Sequence, residues 1–158
     1  MNTYLLYVAF ITGIWMSHAQ VNPPGKVSSN ILYSQVKKIF ERDQSVRSYI
    51  LHNENDLDTC LKDSLWLYQN KLDFINSREL LSFIEKYGYP NSDIIGKPLL
   101  IFIVLMHTPQ PLKQPMLALI RNEYQKGNIP FEEFRQIQWH LEGREGLPFT
   151  FRYDSPEQ

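Results

Sequence analysis

The segment Glu41-Arg-Asp-Gln-Ser-Val-Arg47 sets a carboxylate, Asp43, four residues before a guanidinium, Arg47. On a helix that spacing puts the two on one face, where they can pair. The face itself is the anomaly. Asp43 lies seven residues after Val36 and seven before Ile50, and Arg47 lies seven after Phe40, so both fall inside an apolar stripe rather than at its edge. A charge turned toward a core must be paired, because desolvating it alone costs several kcal/mol or more. Either Asp43 and Arg47 form a buried structural ion pair, which is the commoner case, or that face lines a polar cleft.

Two other stretches carry reactive types. Asp73-Phe-Ile-Asn76 offers a carboxylate and a carboxamide. The local reading is that Asn76 caps a helix and Asp73 sits in the loop before it. His107 closes the apolar run Leu99-Leu-Ile-Phe-Ile-Val-Leu-Met106. A histidine there is more often a helix C-terminal partner, where the dipole favours a cation, or a hydrogen-bonded core residue. It can serve as a general base or acid only if a carboxylate orients it. Asp43 or Asp73 could do so only if the fold brings them together. The candidate polar site is therefore Asp43, Arg47, Asp73, Asn76 and His107. His52 and His140 sit in helix-end or amphipathic contexts and carry no motif. No spacing suits a metal, and there is no glycine-rich phosphate loop or serine nucleophile elbow, so neither a metal nor a cofactor is expected. The single cysteine, Cys60, cannot close an internal disulfide; its Leu-rich setting reads as that of a small buried apolar residue.

The elements that must position these residues read as helices. Leu32, Val36, Ile39, Phe40, Val46 and Ile50 recur at helical spacing and predict a first helix over about 28–53. Leu57, Leu61, Leu65, Tyr68 and Leu72 predict a second over 57–74. A third is expected to open at Asn76-Ser-Arg-Glu79, with Asn76 as cap and Glu79 as the capping-box carboxylate, and to end at Gly88 before Pro90. Gly96-Lys-Pro98 opens a fourth, whose run 99–106, apolar all round, suits a central buried helix. A fifth covers about 112–125, after Pro109 and Pro111, and a sixth about 130–142. The tail from Gly146 to Tyr153 alternates as an extended segment would. The expected fold is all-α, a single domain of five or six helices around a central apolar helix, ending in that short tail.

The N-terminus reads as an export signal. Tyr4 to Met16 is apolar but shorter than the roughly 20 residues a bilayer span needs. Ser17-His-Ala19 then supplies small residues at −3 and −1 of a cleavage site before Gln20. No lysine or arginine precedes the apolar core, which leaves a retained N-terminal anchor as the alternative to cleavage. The organisation is thus a signal over 1–19, a Pro-Pro-Gly linker over 20–27 and a helical domain over 28–158. Export to the periplasm or beyond follows, with no stable membrane span after cleavage. The formal net charge of −1 argues against nucleic acid as partner, which demands a basic face. With 13% aromatic residues and no disulfide, stability must come from the core.

In order and spacing, these motifs resemble an uncharacterised bacterial domain family of unknown function. Its pattern is Asp-Gln-x-x-Arg, Asp-x-x-Asn, Tyr-Gly-Trp/Tyr-Pro, a Val/Ile-Gly pair, Gln-His, Leu-x-Asp-Arg and Gly-x-Pro-Gln-x-Tyr-Gly-Thr-Gln. The chain supplies Asp43, Gln44 and Arg47; Asp73 and Asn76; Tyr87, Gly88, Tyr89 and Pro90; Ile95 and Gly96; and His107. The likeness spans about 36–153 and departs at the end. Met106 stands before His107, and Trp139 and His140 stand where the family has Asp-Arg. Of the terminal motif, Gly146 and Pro148 remain, while Phe149, Arg152 and Asp154 replace other types. The resemblance implies candidate positions and a helical fold, not a reaction.

Taken together, the sequence favours an exported binding or interaction module whose partner is an unknown small molecule or protein. The alternative is a hydrolase-like enzyme in which His107 works with Asp43 or Asp73 and Arg47 holds an anion. A third reading is an envelope protein whose polar residues only cap and pair. Convergence of the five residues on one solvent-reachable site would favour the first two. Within it, His107 in hydrogen-bond reach of a carboxylate would favour the enzyme.

Overall fold

Asp58 starts the second long helix, close to the expected Leu57, and no third helix opens at Asn76. A computed structural model describes residues 27–144. In it α1 spans Ser29–His52 and α2 runs unbroken over Thr59–Tyr87. The Asp58 side chain accepts from the Leu61 N–H and caps α2. The two predicted helices over 57–74 and 76–87 are therefore one. Asn76 caps nothing and Asp73 is not in a loop; both are buried in the middle of α2. Glu79 closes no capping box and instead pairs with Arg42 of α1 at 2.7 Å.

α1 and α2 form an antiparallel hairpin on which the rest is assembled. α3 (Ser92–Ile95), α4 (Phe102–Met106), α5 (Gln110–Gln125) and α6 (Phe131–Leu141) follow. The described residues form an all-α domain of six helices, as predicted, with no strand among them. The expected signal, nearly all of the linker and the extended tail lie outside the described residues.

The α1 stripe is as expected, with Leu32, Val36, Ile39 and Ile50 buried. In α2 the buried face is rotated from the leucine stripe. Leu61 and Tyr68 are exposed, while Gln69, Leu72, Asp73, Asn76, Ser77 and Leu80 face inward. Cys60 is exposed rather than buried, because the first turns of α2 extend past the core. The apolar run 99–106 supplies only five helical residues. Ile101, Val104 and Leu105 enter the core as predicted, but Leu100 is 60% exposed, so a run apolar all round is not buried all round.

The Tyr87-Gly-Tyr-Pro90 reversal is fixed from a distance. Glu123 of α5, 1% exposed, accepts the Tyr89 N–H at 2.9 Å and the Asn128 side-chain amide at 2.7 Å, and pairs with Lys126 at 2.6 Å. The Tyr89 hydroxyl donates to Glu133 of α6. Gly88 has φ +87, and a Cβ there would lie 2.9 Å from Ile94 Cδ1 and 3.3 Å from Glu123 Oε2, so the turn needs glycine. Asn91 then caps α3 through the N–H groups of Asp93 and Ile94. Gly96, expected to open a helix, closes this one in the left-handed region. The reversal carries the chain back so that α4 ends against α1.

Candidate functional site

The end of α4 delivers His107 to Asp43. The His107 N–H bonds the Val104 carbonyl at 3.1 Å, and its ring Nδ1 stands 3.2 Å from Asp43 Oδ2 and 3.3 Å from Oδ1. Asp43 is 0% exposed, whereas the His107 side chain keeps 21% of its surface in solvent. The buried carboxylate also accepts from Gln44 Nε2 at 2.6 Å and lies 3.5 Å from Arg47 Nη2.

Arg47 has a closer partner than the sequence suggests. Its Nη2 donates to Asp73 Oδ1 at 2.8 Å, so the guanidinium bridges α1 to α2 and is shared between two carboxylates. Its plane is also near Trp66, 5.9 Å from the ring centroid. Asp73 Oδ1 takes a second bond from Gln69 Nε2 at 2.7 Å. Asn76 sits one turn further along α2, where its Oδ1 accepts from Arg42 Nε at 2.6 Å. The structure thus joins Asp43, Arg47, Asp73 and His107 in one network. Asn76 borders it, tied to Arg42 instead.

Burial alone would push the Asp43 carboxyl up. The His107 hydrogen bond and charge, with Arg47 and Gln44, outweigh burial and hold it below the usual carboxylate range. His140 of α6 is the nearby second imidazole. Burial first, then the charges of Arg144, His107 and Lys113, push it down to about 4, so it is neutral at pH 7. Its Nδ1 accepts from Arg144 Nε at 3.1 Å.

Several members escaped the sequence reading. Gln69 and Ser77 are buried on α2, and Arg42 completes the α1 side. The signal was available: Gln69, Asp73, Asn76 and Leu80 recur at helical spacing on one face. Arg47 Nε, Gln69 Oε1, Asn76 Nδ2 and Ser77 Oγ are buried without a hydrogen-bond partner among the described residues. The α1–α2 seam therefore holds polar atoms that the described side chains leave open. No described set of His, Cys, Asp and Glu side chains is arranged to hold a metal. No protein-family model, curated protein or solved structure matches the chain.

Proposed function

We propose that the protein is an exported, hydrolase-like helical domain that acts through His107 as proton acceptor and donor, oriented by Asp43. The observation that carries this reading is the contact of a solvent-reaching imidazole with a fully buried carboxylate at 3.2 Å. A carboxylate on Nδ1 fixes the ring and its tautomer and leaves Nε2 for substrate. No described serine, threonine or cysteine bonds the His107 ring, so the nucleophile in this reading is water. Nε2 takes a proton from a water as its oxygen attacks an acyl or phosphoryl centre, then returns that proton to the leaving oxygen. Arg47 already serves two carboxylates. It therefore positions Asp43 and Asp73 rather than capturing a substrate anion, as the sequence had suggested. Export rests on residues 1–19, and the family resemblance adds the same ordered polar positions.

The test is turnover of a panel of chromogenic carboxylic esters, phosphomonoesters and phosphodiesters by the purified protein. His107→Ala should remove activity by about 10²-fold or more, the usual size of a lost acid–base group. Equal turnover by wild type and His107→Ala would overturn the reading. No turnover by the wild type, with His107→Ala melting unchanged, would favour the binding module instead.

A further inference from the structure

We infer that the outer groove between α1 and α2 binds an anionic amphiphile, a molecule with a carboxylate or phosphate head and an acyl-type chain. This proposal stands apart from the His107 chemistry. The groove is open to solvent along its length and offers a volume of about 700 Å³. Along α2 it is lined from Phe74 to Tyr87, roughly 20 Å at 1.5 Å per residue, a trough suited to an extended chain.

Its chemistry is two-sided. Ile39 and Phe83 form an apolar floor continuous with the core, while Phe74 and Ile75 stand 38% and 44% exposed at its rim. Against this apolar surface stand four cations, Lys38, Arg42, Arg78 and Lys86, and one carboxylate, Glu79. Glu79 is taken by Arg42. None of Lys38, Arg78 and Lys86 pairs with a carboxylate among the described residues; Lys86 instead rests 5.0 Å over the Tyr87 ring. The nearby Glu41 is held by Lys37. A net local charge of +3 on a chain of net charge −1 is a concentration of one sign, and a low-dielectric floor strengthens its pull on an anion. Charge alone would suit free phosphate, and apolar surface alone any hydrocarbon. Their combination selects the amphiphile.

The experiment is a binding titration of the purified protein with dodecyl phosphate and laurate below their aggregation concentrations, followed by amide chemical shifts. Dodecyltrimethylammonium, inorganic phosphate and phosphatidylglycerol vesicles serve as contrasts. The expected result is saturable binding of either anionic amphiphile at about 1–100 μM, with shifts confined to residues 35–42 and 74–87. Arg78→Glu/Lys86→Glu should weaken it at least roughly tenfold, as should the milder Lys38→Gln/Arg78→Gln, with melting unchanged. His107→Ala should bind as wild type does. Equal binding of the cationic amphiphile, equal binding of inorganic phosphate, capture by vesicles without binding of the monomeric probe, or no saturable binding would each overturn the proposal.

Discussion

Two carboxylates, Asp43 and Glu123, are buried to the same degree and are held in different ways. Glu123 is surrounded by donors with a fixed structural purpose: a backbone N–H, an amide and a lysine. It locks the Tyr-Gly-Tyr-Pro reversal to α5. Asp43 is surrounded by partners that are themselves shared or titratable: a partly exposed imidazole and a guanidinium divided with Asp73. In both, burial favours the neutral acid and is outweighed by the partners, so both carboxyls sit low. Burial and a depressed pKa therefore do not separate a clamp from a site. What separates them is the partner: a partly exposed imidazole, the usual acid–base group, stands on Asp43, and none stands on Glu123.

The contrast is sharpest in stability. Glu123→Ala strands the buried Tyr89 N–H and the Asn128 amide, at a cost of about 2–4 kcal/mol. A fall in Tm of about 10 °C is expected in thermal unfolding. A loss of a degree or two would dissolve the clamp. Gly88→Ala is next, at about 1–3 kcal/mol, since it adds the left-handed penalty to a Cβ contact of 2.9 Å. Chemical denaturation should show it, and a neutral result would mean the turn has slack.

A pH titration of stability separates the groups further. His140 is held down to about 4, against about 6.5 when unfolded. Between those values the unfolded chain binds the extra proton, so stability falls as pH drops from about 6.5 to 4. His140→Gln should flatten that slope, and an unchanged slope would place its origin elsewhere. The lowered carboxyls of Asp43 and Glu123 act at the acid edge of this window and below it. Their contribution is full only well above the unfolded carboxyl values, about 3.9 for Asp and about 4.3 for Glu, and is lost as pH falls through their folded values.

The helical class, the α1 stripe and the inward Asp43 were legible because each rests on periodicity within one segment. The boundary at Asn76 was not. Asn-Ser-Arg-Glu reads the same as a capping box or as mid-helix residues, and the partner that decides, Arg42, comes from another helix. The face of α2 was misread for a related reason. The leucines at 61 and 65 mark a stripe that continues past the core, whereas Asp73 and Asn76 face inward because α1 presents Arg47 and Arg42 to them, and Gln69 joins them by bonding Asp73. The pairing of His107 with Asp43, 64 positions apart, depended on the Gly88–Pro90 reversal and the brevity of α4, which no local pattern states.

The most direct measurement is the melting temperature of His107→Ala beside that of Glu123→Ala, with Asp43→Asn as a third variant. The account predicts that His107→Ala and Asp43→Asn each lose about 1–2 kcal/mol, the cost of one bond at a buried charge, a few degrees for a domain of this size, while Glu123→Ala, which strands two donors at once, falls clearly further. A loss in His107→Ala equal to that in Glu123→Ala would contradict it and make the His107–Asp43 contact a second clamp.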